Sequence, residues 1–88
     1  MYEWDEAKRL INLENHKLDF LDVPQLFDGR AVFTSASKYA FELRMVTTVM
    51  HEGKSCTVIW TQRGGARRII SFRRARREEE REYRQFLS

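Results

Sequence analysis

The sequence predicts an α+β fold in which helices near both ends of the chain pack against an antiparallel β-sheet. Apolar residues with helical spacing occupy the N-terminal third, and β-branched and aromatic residues dominate the middle. Glu/Arg pairs four residues apart mark the C-terminal end. The predicted order is β-α-α-β-β-β-β-α, with the helices at one face or end of the sheet. A length of 88 residues predicts a single domain, residues 1–88.

The N-terminal segment predicts a short strand followed by a helix. Met1–Trp4 alternates in the manner of a strand, and Asp5 is a suitable N-cap for a helix over residues 5–16. The side chains expected on one face of this helix, three of them apolar, are Ala7, Leu10, Ile11 and Glu14.

A second, shorter helix is predicted to begin after Asp19, which is again a suitable cap. Pro24 falls near its start, where a missing N–H costs least, and Gly29 ends it in the left-handed conformation. The apolar positions at spacings of three and four are Phe20, Val23, Leu26 and Phe27.

The middle of the chain predicts four antiparallel strands. Ala31–Ala36 is followed by a turn at Ser37-Lys38, and Tyr39–Met50 is followed by a hairpin turn at His51–Lys54. The remaining elements are a strand over Cys56–Gln62, a turn at Gly64-Gly65, a strand over Arg67–Arg73 and a helix over Ala75–Leu87. That last helix has few apolar residues, so we expect it to dock lightly.

Positive charge is concentrated in the C-terminal third. Residues 1–62 contain seven Lys or Arg and nine Asp or Glu, whereas residues 63–88 contain nine Arg and four Glu. The stretch 63–77 has seven Arg and no acidic residue. Because guanidinium groups bind phosphate in a bidentate manner, this composition predicts RNA or phosphate binding, with a solvated basic face as the alternative.

Several classes of protein do not fit the sequence. Gly64-Gly65 lacks the spacing of a nucleotide-binding loop, and residues 53–77 contain no carboxylate pair for two-metal chemistry. Cys56, His16 and His51 are too few for a zinc site, so we expect no metal and no cofactor. No secretion signal or apolar run of membrane-spanning length is apparent, which predicts a cytoplasmic protein that does not bind membranes.

Strand alternation divides the Arg-rich strand into two sets of side chains. Arg68, Ile70, Phe72 and Arg74 form one set, and the other consists of Arg67, Ile69, Ser71 and Arg73. We expect Arg67, Ser71 and Arg73 on a wet, basic face, where Arg73 serves function rather than packing. A shift of one residue would exchange the two sets.

Other basic and polar residues are candidates for the same surface. Arg44 and Arg63 are expected to converge on it, although Arg44 is equally suited to an ion pair with Glu42. On the first helix, a polar stripe is formed by Lys8, Asn12, Asn15 and His16. Lys8 and His16 suit phosphate binding and proton transfer, or else a solvated Lys and a helix C-cap.

Three further side chains have alternative interpretations. His51 suits a turn residue better than a catalytic one, and Trp60 suits the core better than a platform for stacking bases. Tyr83, which lies among arginines of the last helix, suits either a phosphate site or the packing of that helix.

These residues together resemble the BrnT family of type II toxin–antitoxin systems. The most specific matching run is Arg68-Ile69-Ile70-Ser71-x-Arg73-Arg74-Ala75, followed by Glu79 and Tyr83. The other matching stretches, in order along the whole chain, are Glu3-Trp4-Asp5, Lys8, Asn12, His16, Phe20, Phe27-Asp28, Glu42-x-Arg44 and Thr61-x-Arg63-Gly64.

The resemblance implies a RelE-like fold and an endoribonuclease that inhibits translation and growth. It also implies neutralisation by a BrnA-type antitoxin, in a hetero-oligomer such as a heterotetramer that contacts operator DNA only through the antitoxin. The catalytic candidates that it implies are Lys8, His16, Arg44, Arg63, Arg73 and Tyr83. The RNA-binding residues that it implies are Arg68, Ser71 and Arg74. The charge pattern adds Arg67, Arg76 and Arg77, the last two for general attraction of RNA or for docking an acidic surface of the antitoxin.

The sequence also departs from the family pattern. Asn15-His16-Lys17 stands where Lys-His-Gly is usual, so the turn after the first helix is expected to differ. With no carboxylate cluster, a ribonuclease of this kind would use the 2′-OH of RNA as its nucleophile and arginine to stabilise the phosphorane. The alternative is a non-catalytic module that binds nucleic acid or the antitoxin.

Overall fold

The computed structural model describes the whole chain, Met1–Ser88. The strands are β1 Tyr2–Glu3, β2 Val32–Tyr39, β3 Glu42–His51, β4 Lys54–Arg63 and β5 Ala66–Arg74. The helices are α1 Glu6–His16, α2 Val23–Leu26, which continues a 3-10 turn over Phe20–Asp22, and α3 Arg77–Leu87. The predicted α+β class and element order are confirmed, and the likeness to RelE toxins stays a prediction.

The sheet is mixed rather than purely antiparallel. Its strand order is β1-β5-β4-β3-β2, and β1 runs parallel to β5, with Tyr2 opposite Arg67 and Glu3 opposite Arg68. The other neighbours are antiparallel, as predicted. Because β1 is only two residues long, the second half of β5 has a free edge.

The turns follow from local sequence, with one correction. Glu52 and Gly53 both have positive φ, as the tight turn of the β3–β4 hairpin requires, so that turn is confirmed. The β2–β3 turn lies at Ala40-Phe41, with Ala40 at φ 54°, and not at Ser37-Lys38 as predicted. Pairing continues from Val32 to Tyr39, and this extended register overrides the turn preference of the two polar residues.

The helices lie on both sides of the sheet. The core face is defined by Val49, Cys56, Val58, Trp60, Ile69 and Phe72, and it is covered by Phe20, Val23 and Leu26. The opposite face, here called the second face, is partly covered by α3, where Glu79 contacts Thr57 and Phe86 contacts Phe33. The predicted placement of all helices at one face or end is therefore wrong, because α3 finds polar partners on the second face.

The predicted apolar face of α1 is also wrong. Leu10 and Ile11 are 53% and 58% exposed, whereas Asn12 is only 7% exposed. Asn12 accepts a hydrogen bond from the backbone N–H of Phe72 and donates to the carbonyl oxygens of Phe72 and Leu18. At the free edge of β5, backbone groups have no partner strand and need other hydrogen-bond partners. The amide side chain of Asn12 provides a donor for the carbonyl oxygen of Phe72 and an acceptor for its N–H.

A β-bulge in β5 changes which arginines share a face. Ile59 of β4 lies opposite Ser71 and the next residue, Trp60, lies opposite Ile69, which leaves Ile70 without a partner. Ile70 therefore interrupts the alternation on which the two predicted sets depended. Arg67 lies on the core face with Ile69, and Arg68 lies on the second face with Ser71 and Arg73.

Candidate nucleic-acid interface

Many of the arginines form ion pairs within the protein. Arg68 lies 2.8 Å from Glu3, and Arg44 lies 3.1 Å from Glu42. Arg63 lies at the end of β4 and reaches the same Glu42 at 3.8 Å. The ion-pair interpretation of Arg44 is thus confirmed, and Arg44 also stacks on Tyr39, with 4.2 Å between its guanidinium carbon and the ring centroid.

Arg73 makes the most enclosed of these pairs. Its guanidinium donates two hydrogen bonds to the Glu79 carboxylate, at 2.8 and 2.9 Å, and its side chain is 14% exposed. Thr57 and the backbone N–H of Arg76 also donate to Glu79. These donors hold the pKa of Glu79 at about 2, below its ordinary value of 4.5. The prediction that Arg73 lies on a solvent-exposed face and serves function rather than packing is therefore wrong, because this side chain links β5 to α3.

Arg67 occupies the core face rather than the predicted wet face. Its guanidinium carbon lies 4.2 Å from the Phe27 ring centroid and 4.6 Å from the Trp60 centroid. Its Nη1 is buried without a hydrogen-bond partner. Trp60 is a core residue, as expected, and its indole N–H donates to Thr47. The bulge explains why Arg67 is separated from Ser71.

Two of the predicted site residues lie in α3, and one of them is buried while the other is exposed. Tyr83 is 3% exposed, and its hydroxyl donates to the carbonyl oxygen of Ala31 at 3.2 Å, so it packs α3 against β2. Arg77, at the first position of α3, is exposed and has no ion-pair partner. Tyr83 does not line the concavity that contains Arg44 and Ser71.

The second face contains a groove of about 550 Å³ beside the bulge. Val46, Ile59 and Ile70 supply its apolar part. The polar residues that line it are Ser37, Tyr39, Arg44, Ser71, Arg73, Arg76 and Glu79. The groove therefore brings together Arg44, Ser71, Arg73 and Arg76, four of the residues singled out from the sequence.

A smaller concavity of about 200 Å³ follows the polar stripe of α1. It is lined by Lys8, Ile11, Asn12, Asn15, His16 and Ile70. Ile70, the unpaired residue of the bulge, lines both this concavity and the groove. We name the two together the edge channel, because Ile70 of β5 lines both of them. Lys8 and His16 thus lie on one side of Ile70, and Ser71 and Arg73 lie on the other.

The end of α1 is shaped by Lys17. This residue has φ 60°, the left-handed conformation that glycine adopts easily, and its N–H donates to the carbonyl oxygen of Leu13. The expectation of a different turn at this position is therefore wrong, since Lys17 makes the same αL cap. His16 is left exposed at the last position of the helix.

A third concavity, of about 250 Å³, lies beyond the end of α1. It contains both histidines of the chain, and its lining residues are His16, Lys17, Leu18, His51, Glu52, Lys54, Cys56 and Arg74. His51 is 8% exposed, with Nε2 3.6 Å from Glu52. The turn interpretation of His51 missed this placement; the hairpin register, which sets His51 opposite Lys54, was the signal available.

The structure also bears on metal binding and membranes. No group of three His, Cys, Asp or Glu side chains comes together as a set of metal ligands. None of the helices has both the length and the apolar character needed to span a bilayer.

One family of known proteins matches the sequence. A family model described as the ribonuclease toxin BrnT of type II toxin–antitoxin systems matches residues 4–79. The chain belongs to the BrnT family. A search of curated proteins finds no match. The matched BrnT region contains the whole edge channel and the Arg73–Glu79 pair, whereas Tyr83 lies beyond it.

Membership places the chain among toxins that are ribonucleases and act with an antitoxin partner. The family resemblance read from the sequence is thereby confirmed. The roles of the individual residues, the identity of the antitoxin and the oligomeric state stay predictions.

Proposed function

We propose that this BrnT protein is a metal-independent endoribonuclease that cleaves RNA in the edge channel and thereby inhibits translation and growth. The observation that carries the proposal is the bulge at Ile70. The Ile70 side chain lines both the concavity that contains Lys8 and His16 of α1 and the groove that contains Ser71 and Arg44. A proton-transfer group and phosphate-binding groups therefore lie in neighbouring concavities on the two sides of one residue.

The proposed chemistry uses the RNA itself as the nucleophile. The 2′-oxygen attacks the adjacent phosphorus, the bond from phosphorus to the 5′-oxygen breaks, and a 2′,3′-cyclic phosphate and a 5′-hydroxyl form. One group accepts the 2′-OH proton and another donates a proton to the leaving 5′-oxygen. His16 is suited to one of these transfers because an imidazole ring can accept a proton on one nitrogen and donate one from the other.

The charged groups stabilise the phosphate as negative charge builds up on its oxygens. Lys8 has no ion-pair partner and is free to bind a phosphate oxygen. Arg44 is held in place by Glu42 and Tyr39, so it enters the reaction already oriented. Arg76 and Arg77 provide exposed positive charge for general attraction of RNA.

The proposal includes a protein partner. We propose that a BrnA-type antitoxin neutralises the toxin in a hetero-oligomer such as a heterotetramer, and that operator DNA is contacted only through the antitoxin. Family membership supports an antitoxin partner. A cytoplasmic location and the lack of membrane binding stay predictions from the sequence.

The decisive experiment is incubation of purified protein with labelled RNA in the presence of EDTA. We expect cleavage products with 2′,3′-cyclic phosphate ends, and loss of most of the activity in His16→Ala. Glu14→Ala, a change at another exposed position of α1, is the control and should cleave normally. Salt-sensitive RNA binding without cleavage would contradict the proposal and favour the alternative of a non-catalytic binding module.

A further inference from the structure

Apart from His16, the concavity beyond the end of α1 has no role in the proposed chemistry, yet it collects basic groups from four separate elements. His16 and Lys17 come from the end of α1, His51 from β3, Lys54 from β4 and Arg74 from β5. We refer to it as the α1-end pocket. Such convergence does not follow from the Arg-rich sequence stretch, since only Arg74 belongs to it.

The positive charges of the α1-end pocket are available to a ligand. Lys17, Lys54 and Arg74 have no carboxylate within ion-pair distance, in contrast to Arg44, Arg68 and Arg73. Glu52 is the one acidic residue of the lining, and its nearby basic group is His51. The cations therefore outnumber the acid even when both histidines are neutral.

The partial negative charge at the end of a helix would oppose anion binding, but here it is partly neutralised. The N–H of Lys17 caps the carbonyl oxygen of Leu13, which lies in the last turn of α1. At the floor of the pocket, burial raises the pKa of the Cys56 thiol, and Arg74 and Lys54 act against that shift. Their positive potential thus reaches into the pocket.

The position of the pocket indicates which anion it receives. His16 lines both the α1-end pocket and the edge channel, so the two concavities meet at this side chain. A single-stranded RNA that passes through the channel would therefore bring its next backbone phosphate towards Lys54 and Arg74. A volume of about 250 Å³ accommodates a phosphate group with part of its ribose.

We propose that the α1-end pocket is a phosphate subsite, in which Lys54 and Arg74 bind the RNA backbone phosphate next to the one that is cleaved. This inference rests on the proposed function only for the identity of the cleaved bond. It makes the subsite a determinant of substrate length, because a substrate with a single phosphate cannot occupy both positions.

The test measures binding of a 2′-O-methyl oligoribonucleotide, which cannot be cleaved, by fluorescence anisotropy. We expect Lys54→Ala to weaken binding about tenfold and to reduce the slope of log affinity against log salt by about 0.7. The matched control is Lys38→Ala, which removes an exposed charge outside all of the concavities and should leave affinity near that of wild type. Equal effects of the two changes would overturn the proposal.

A second pair of measurements separates this proposal from the proposed function. If wild-type protein cleaves RNA, Lys54→Ala should raise KM for a long RNA and leave cleavage of a dinucleoside monophosphate unchanged. If wild-type protein cleaves nothing, the endoribonuclease proposal fails while the anisotropy result still decides the subsite.

Two other ligands are distinguished by the same variant. Inorganic phosphate should bind the pocket only weakly; tight binding of free phosphate with no effect of Lys54→Ala on RNA would contradict an RNA subsite. Weaker binding of the antitoxin with unchanged RNA affinity would assign the pocket to an acidic segment of the antitoxin instead.

Discussion

On the core face, α2 and the preceding 3-10 turn are held by apolar contacts around Phe20 and Phe72, which are fully buried. On the second face, α3 is attached through the Tyr83 and Phe86 rings and also through polar groups, with Thr57 and Arg73 both bonded to Glu79. In this polar attachment, charged side chains hold a helix to the sheet and are not free to bind a ligand. The number of arginines in the sequence therefore overstates the positive charge that is available to a ligand.

Arginines 63 to 77 illustrate the difference. Arg63, Arg68 and Arg73 are paired with carboxylates, and Arg67 is stacked on two aromatic rings. The residues left with neither kind of partner are Arg74, Arg76 and Arg77. We infer that the paired arginines of this stretch mainly maintain the fold and that its unpaired ones, together with Lys8, Arg44 and Lys54, bind RNA.

The largest expected effect of a single change is on the core face. Phe20→Ala should lower the free energy of unfolding by about 4 kcal/mol, because it leaves a cavity among Val23, Leu26 and Phe72. Urea denaturation of the variant measures the loss. Leu21→Ala, at the neighbouring exposed position, is the control and should change stability by less than about 0.5 kcal/mol. Similar losses in both variants would contradict the core assignment.

A smaller loss is expected where α1 meets the free edge of β5. Asn12→Ala should lower the free energy of unfolding by about 2–3 kcal/mol, because it leaves the N–H and carbonyl groups of Phe72 unsatisfied. Asn15→Ala, on the exposed side of the same helix, should be nearly neutral. Hydrogen exchange of the Phe72 amide should accelerate in Asn12→Ala alone; an unchanged rate would show that Asn12 does not protect this edge.

The polar attachment of α3 should depend on pH. The pKa of Glu79 is about 2 in the folded protein, below its ordinary value of 4.5, so the unfolded chain binds a proton first as pH falls. The contribution of Glu79 is therefore complete above its ordinary pKa and disappears as pH falls from about 4.5 towards 2. Glu79→Gln should cost about 2 kcal/mol at pH 7 and progressively less at lower pH. A difference that is constant with pH would contradict this linkage.

The smallest expected loss of stability is at Tyr83, where the variant also shows whether this residue serves packing or catalysis. Tyr83→Phe removes only the hydroxyl that donates to Ala31, so it should cost about 1 kcal/mol of stability. RNA cleavage should remain at the wild-type rate, since the hydroxyl is buried between α3 and β2. A large fall in kcat without loss of stability would instead make Tyr83 a catalytic residue.

The sequence allowed most elements to be predicted because their signals are local. Asp5 caps α1, Pro24 lies in the first turn of α2, and Glu52-Gly53 turns the hairpin as expected. The prediction that Gly29 ends α2 is wrong, because the helix already ends at Leu26. The bulge at Ile70 and the parallel β1 depend on pairing between distant segments, so no local signal could reveal them. Because the bulge is not visible in the sequence, strand alternation alone could not assign Arg67 and Arg68 to the correct faces of the sheet.

The candidate site was predictable in part for the same reason. Lys8, His16 and Ser71 could be chosen from residue type and family resemblance. The burial of Asn12 and the convergence of His51 and Lys54 on His16 depend on where α1 crosses the sheet. That crossing is a tertiary property, which helical periodicity does not specify; the apolar Leu10 and Ile11 indicated the wrong face of α1.

The most direct test compares Arg73 and Arg74, adjacent residues of β5 with and without an ion-pair partner. Unfolding free energy and affinity for an uncleavable RNA are measured for Arg73→Ala and Arg74→Ala. We predict that Arg73→Ala loses about 2 kcal/mol of stability, whereas Arg74→Ala keeps its stability and binds RNA about tenfold more weakly. A stable Arg73→Ala together with an Arg74→Ala that binds RNA normally would contradict the division between structural and RNA-binding arginines.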